Sequence, residues 1–372
     1  MAVPQKNSSG MGPVSALFIL AVLLVVASYI LVLLMGYGFI FLTPDGQALS
    51  AKVDYFPILL LFLFGFETPG IEVGVVFAFI SVVFALCFVA ASQWRRSLLG
   101  VLRKPSSQPF RRFFDNFLFA MPLISGMVLI AVWLIIFAQQ AVGIPTGQVA
   151  FPPGVSQQQI FLELAYAPAV EELGFRLVPI GLFTVLYVFV AGKNAGGKGL
   201  RGLVTSVLYP DGAKRMAGLR NVKEHGLWRG ISRGEWAMVL VTSLIFGYAH
   251  VLAGIGWEVG KITSVFVQAF FFAVCYLAYG FEAPILLHWF FNYYLFFFDP
   301  SILSTFFPFA EPVLSIVEIL ILALGVVGWA FFAVYGLRKL TKRKTTGQKL
   351  EVPVPPDFLS PPPPPPEPTS PS

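Results

Sequence analysis

Ala167-Pro168-Ala169-Val170-Glu171-Glu172-Leu173-Gly174-Phe175-Arg176 sits inside a long apolar run, residues 161–191. A run of that length reads as a membrane span, because about 20 apolar residues cross the hydrocarbon core. Two carboxylates and an arginine at that depth are costly, and ionisable groups inside a membrane are functional by default. On a helix Glu172 and Arg176 are four apart and share a face, so they can neutralise each other without an outside partner. Glu171 is turned from Glu172 by about 100° and is left without an intrahelical cation. The plainer alternative is a structural polar cluster that holds helices together.

The surrounding chain extends this reading. Of 372 residues, 57% are hydrophobic and only 12% charged, with a mean hydropathy of +0.78. That composition implies an all-α polytopic membrane protein rather than a soluble core. Eight transmembrane helices are expected, at residues 14–34, 73–92, 116–138, 161–191, 235–253, 262–279, 284–298 and 312–337. A shorter apolar piece, 57–66, reads as re-entrant, interfacial or half of a broken helix. The chain divides into N-terminal helices with a basic loop (1–115), a core (116–300), a last helix with a basic juxtamembrane segment (301–350) and a tail (351–372). The tail carries six consecutive prolines, Pro361 to Pro366, and is expected to be disordered or polyproline II.

The net charge of +6 is better explained by topology than by a nucleic-acid partner, since the basic residues sit in loops beside apolar spans. Lys6, the loop 93–115, the loop 192–234 and the segment after the last span hold twenty-two of the 25 lysines and arginines. Lys52 and Lys261 lie on the other side, and Arg176 is inside a span. The positive-inside rule then puts both termini in the cytoplasm of an integral cell-membrane protein. Loop 192–234 is long, basic and glycine-rich. It reads as a surface segment touching anionic headgroups, or as a solvated charge run. Cys87 and Cys275 lie in apolar runs without metal-type spacing and read as buried hydrophobes. No cleavable signal peptide and no internal repeat is expected.

Two of the three histidines lie in spans; His225 lies in the basic loop and reads as a solvated residue. His250 ends Phe246-Gly247-Tyr248-Ala249-His250 on the fifth span. His288 begins His288-Trp289-Phe290-Phe291-Asn292 on the seventh, where His288 and Asn292 share a face. Singly, each histidine is more simply an interhelical hydrogen-bonding group. Polar sites on three different spans fit a shared interior cavity. A carboxylate and an imidazole around one water make a general base, and an imidazole with an amide makes two donors for an oxyanion. Together they suit attack of water on a peptide carbonyl. Alternatively Glu171, His250 and His288 hold zinc with an open position for water; H-E-x-x-H is absent, which excludes the usual zincin helix.

The set E-E-x-x-x-R (Glu171, Glu172, Arg176), F-x-x-x-H (Phe246, His250) and H-x-x-x-N (His288, Asn292) resembles the CPBP family. These are the CAAX proteases and bacteriocin-processing proteins, also called the abortive-infection or Abi family. The resemblance covers about residues 116–298. It implies an intramembrane endopeptidase whose best-known members trim prenylated C-a-a-X proteins, so a hydrophobic or prenylated peptide substrate in the bilayer. By that likeness Glu171 and His250 activate water, His288 and Asn292 stabilise the oxyanion, and Glu172, Arg176 and Phe246 shape the site. The family is described both as metalloprotease-like and as glutamate-dependent; the shared face of His288 and Asn292 favours the version without cofactor. Two other classes remain open: a proton- or ion-coupled transporter using Glu171, His250 and His288 as a relay, and a non-catalytic immunity or partner protein on the same scaffold.

Overall fold

Apolar runs become helices here because a helix satisfies every backbone polar group within its own segment, which lipid cannot do. The computed structural model describes residues 13–60, 64–93, 97–102, 114–148, 151, 153–194 and 199–346. The basic residues at positions 6, 95, 96, 103, 104, 111, 112, 198 and 349, and the proline-rich tail, lie outside them. In chain order the elements are α1 (Pro13–Phe41), α2 (Pro44–Ser50), β1 (Val53–Asp54), β2 (Pro57–Leu60), β3 (Phe64–Glu67), β4 (Ile71–Glu72), α3 (Val73–Gln93), α4 (Leu98–Leu102), α5 (Phe117–Ala141) and α6 (Gln157–Glu172). A π-helical segment π1 (Leu173–Leu177) leads into α7 (Pro179–Ala191), followed by the short α8 (Leu200–Leu208), α9 (Pro210–Met216), α10 (Val222–His225) and α11 (Leu227–Gly230). Then come α12 (Arg233–Leu252), α13 (Gly260–Tyr279), α14 (Glu282–Trp289), a second π segment π2 (Phe290–Tyr294), α15 (Pro300–Phe306) and α16 (Glu311–Thr346). Residues up to Trp329 form one compact unit and those from Ala330 another.

The fold is an all-α membrane bundle. Among the described residues seven helices are long and apolar enough to cross a membrane: α1, α3, α5, α6–π1–α7, α12, α13 and α16. The expected seventh span, 284–298, is shorter than a full crossing. Residues 282–296 are continuously helical, a length of roughly 22 Å at 1.5 Å per residue. It needs no lipid-facing length because all of α14 is buried, packed against α3, α6 and α13. Aromatic rings fill the space around it. Trp289 meets Tyr29 and Phe88 edge-on, and Tyr293 Oη donates to the Leu33 carbonyl at 3.0 Å. Small residues let other helices approach: a Cβ on Gly126 would lie 2.4 Å from the Ile321 carbonyl oxygen, so α5 and α16 cross backbone to backbone.

The apolar piece 57–66 is not half a helix. It forms an antiparallel hairpin, β2 with β3, in register Pro57 to Glu67 and Leu60 to Phe64, while β1 pairs with β4. The hairpin lies along the site-bearing span: β2 contacts α6 and π1, and Tyr166 Oη donates to the Pro57 carbonyl at 2.9 Å.

The basic loop is folded rather than merely solvated. Arg201, Arg215, Arg220, Lys223 and Arg229 are exposed, but Lys214 is fully buried. Its Nζ lies 3.0 Å from Glu235 Oε1 and donates to the Gly230 carbonyl at 2.7 Å. Glu235 also closes a capping box with Ser232 at the start of α12. The Asp211 carboxylate accepts from the Val222 amide. His225, as expected, is exposed.

Candidate active site

The acidic motif sits where the fourth span changes winding. Pro168 cannot donate to the helix ladder, π1 follows Glu172 immediately, and Pro179 opens α7. The Val178 amide donates to the Leu173 carbonyl at 3.1 Å, an i to i+5 bond of the kind that recurs at functional sites. The His/Asn motif carries the same device: His288 lies in the last turn of α14 and Asn292 in π2.

Glu172 and Arg176 form the pair that their spacing predicts, Nη1 to Oε1 at 3.1 Å with both side chains buried. Arg176 is held from two more sides. Its Nη2 donates to the Ala269 carbonyl at 3.3 Å, and its guanidinium lies over Phe246 at 4.6 Å and Phe272 at 5.6 Å. Such packing suits a delocalised cation that must leave water.

The expectation that this pair needs no outside partner is wrong. His288 Nδ1 donates to the same Glu172 Oε1 at 2.8 Å. Because a carboxylate only accepts, Nδ1 carries a proton, and Nε2 is the nitrogen turned away from Glu172. That Nε2 faces Glu171 Oε2 at 3.8 Å. Glu171, turned away from Arg176 as expected, is thus aimed at His288, and its side chain is 23% exposed while that of Glu172 is sealed. The two adjacent carboxylates differ in what they can do: one is locked in a buried network and the other reaches a partly open space.

His250 is set by its own helix. Its Nδ1 lies 2.9 Å from the Phe246 carbonyl, an acceptor, so Nδ1 is protonated and Nε2 is free. Phe246 lies between the histidines, with ring centroids 4.8 Å from His250 and 6.0 Å from His288. Asn292 is half-buried one turn beyond His288. The structure therefore gathers Glu171, Glu172, Arg176 and His288 by direct polar contact, and brings His250 alongside through Phe246. Glu171, His250 and His288 do not close into a three-ligand set: among the described residues no group of three His, Cys, Asp or Glu is spaced to share a metal ion. Ala269 and Phe272 on α13 complete the arginine cradle; one alanine and one phenylalanine among many in an apolar run give no sequence signal.

Fold and cluster together define a polytopic helical membrane protein with a buried ionisable site at the junction of α6, α12, α13 and α14. Residues 157–294 match the family described as Type II CAAX prenyl endopeptidase Rce1-like. The matched segment, somewhat more than a third of the chain, contains all three motifs that carry the resemblance. No curated protein and no solved structure matches the chain.

Proposed function

We propose that the protein is an intramembrane endopeptidase of the CAAX prenyl protease type, acting on a hydrophobic or prenylated peptide. The observation that carries this is His288 held between Glu172 and Glu171 inside an otherwise apolar bundle. In this scheme both ring nitrogens of His288 carry a hydrogen, with Nδ1 bonded to Glu172 and Nε2 facing Glu171. Its Nε2–H is then a donor.

Glu171 takes a proton from water as the oxygen attacks the scissile carbonyl carbon, and the free Nε2 of His250 assists as a second acceptor for that water. His288 and the Asn292 amide donate to the oxyanion that develops. When the intermediate collapses, the C–N bond breaks and Glu171 returns its proton to the leaving amine. Glu172 acts through His288, fixing its tautomer and orientation, as the carboxylate of a catalytic triad fixes its imidazole. Arg176 holds Glu172 in place through their 3.1 Å pair. The scheme is complete with this chain's own groups.

The test is incubation of purified protein in detergent with a farnesylated C-a-a-X peptide and with an unmodified apolar peptide. Mass spectrometry should find cleavage of at least one, lost in Glu171→Gln. A folded wild type that cleaves neither would overturn the reading.

A further inference from the structure

We infer that the helical hairpin α8–α9 docks on the cytoplasmic leaflet of an anionic bilayer, with the large apolar residues of α8 against lipid and a ring of arginines and lysines on lipid phosphates. This holds whatever chemistry the buried cluster performs.

The first observation is the burial pattern of α8. A helix that faces water turns its large apolar residues inward. In α8 the pattern is inverted. Its buried residues are Gly202 and Ser206, whereas Leu200, Leu203, Val204 and Leu208 are 79%, 41%, 46% and 36% exposed. Spaced at i, i+3, i+4 and i+8, these four form one apolar stripe with nothing of this chain over it.

The hairpin lies along α7. Near its turn, a Cβ on Gly181 would stand 3.5 Å from Val207 Cγ1. At its other end the Lys193 amide donates to the Ala217 carbonyl at 2.9 Å, and a Cβ on Gly192 would stand 3.2 Å from Ala217 Cβ. From Gly181 to Gly192 is roughly 16 Å along the axis, so α8 and α9 flank the whole of α7. On that helix Leu182, Leu186, Phe189 and Val190 are also exposed, at helical spacing on a span long and apolar enough to cross a membrane. The stripe on α8 thus continues a surface already suited to lipid, which favours the bilayer over a protein as its cover.

An aromatic anchor lies at the end of the segment. Trp228, 70% exposed, stacks on Trp236 at 5.5 Å, and Trp236 stacks on Phe270 at 6.0 Å. Tryptophan beside the first turn of a span is the residue type that marks the membrane–water boundary.

Charge selects the lipid. Among the described residues of 193–233, seven lysines and arginines are exposed, Arg201, Arg215, Arg220 and Arg229 among them, against one exposed acid, Glu224. Lys214 and Asp211 are buried and take no part. Basic residues so placed mark the cytoplasmic side, and their apolar stems let them lie along a bilayer surface with the charge at the phosphates.

The test uses the full chain in vesicles of phosphatidylcholine, with and without phosphatidylglycerol. In a Cys87→Ala/Cys275→Ala background, bimane on Leu203→Cys should be quenched by nitroxide on lipid acyl chains and shielded from aqueous iodide. Bimane on Glu224→Cys should be reached by iodide. On the unmodified chain, phosphatidylglycerol should slow amide exchange across residues 199–217, and high salt should remove the slowing. Arg201→Gln/Arg215→Gln/Arg220→Gln should remove it too, with exchange in phosphatidylcholine as in the wild type. Iodide quenching of the Leu203→Cys label without effect of nitroxide lipid would overturn the inference, as would equal exchange in both lipids. Protection of 199–217 that appears only when several copies share a vesicle would also overturn it, by assigning the stripe to a second copy of the chain.

Discussion

Arg176 neutralises Glu172 in a medium that penalises a lone charge, and Glu172 in turn holds His288. Breaking a buried pair by removing one partner costs about 3–5 kcal/mol. Arg176→Ala should therefore lower the thermal midpoint and the folded yield in detergent. Glu171→Gln should abolish cleavage while leaving the folded state intact, because Glu171 has no guanidinium to strand. Equal loss of folded protein in both variants would refute this division of labour. Asn292 separates two chemistries. As an oxyanion donor, its loss in Asn292→Ala should lower turnover roughly 10²–10³-fold with little change in KM, and Asn292→Asp should be at least as harmful. Elemental analysis beside the cleavage assay checks the alternative: stoichiometric zinc retained in an active Asn292→Asp protein would replace the scheme with a metallopeptidase one. The Glu172–Arg176 pair was legible in the sequence because it depends only on helical spacing. The Glu172–His288 bond joins residues 116 apart in sequence and depends on how α6 meets α14, which no local pattern encodes.

Helices carried by long apolar runs were legible for the same local reason, and α1, α3, α5, α6–α7, α12, α13 and α16 fall where hydropathy puts them. The hairpin was not, because a short apolar run looks alike as strand or buried helix. Nor were π1 and π2, since the same residues suit either winding and tertiary packing decides. Crossing geometry adds a test at this scale. α5 and α16 touch at Gly126 and Gly325, where a Cβ on Gly325 would lie 2.5 Å from the Gly126 carbonyl carbon. Gly126→Leu should force the helices apart at a cost of about 1–3 kcal/mol or more, visible as aggregation on size-exclusion chromatography in detergent. A Gly126→Ala protein should show the same defect more weakly. Unchanged elution of both would mean that the crossing tolerates separation.

For the whole molecule, the folded basic segment depends on one buried ion pair. Glu235→Ala strands the Lys214 ammonium and also removes the capping box of α12, so residues 199–232 should become sensitive to limited proteolysis. Replacing both partners by apolar residues, Lys214→Met with Glu235→Leu, should restore most of the protection, because a buried pair is often no better than a hydrophobic one. If the double variant is as labile as the single one, the segment is held by something other than this pair. The expectation of a solvated or headgroup-bound loop failed on Lys214 and Asp211: composition registers charge and glycine content, whereas burial of a cation needs a specific partner far along the chain.

The short, wholly enclosed α14 also bears on how the protein is made. A segment with roughly 22 Å of helix and with Glu282, His288 and Asn292 along it has little reason to leave the insertion machinery for lipid by itself. It partitions into a slot already lined by α3, α6 and α13, all synthesised before it. Biogenesis is then ordered, with the site assembled last: an isolated 280–298 segment should fail to insert in a translation assay, and ribosome-bound chains truncated before residue 282 should expose an aqueous groove.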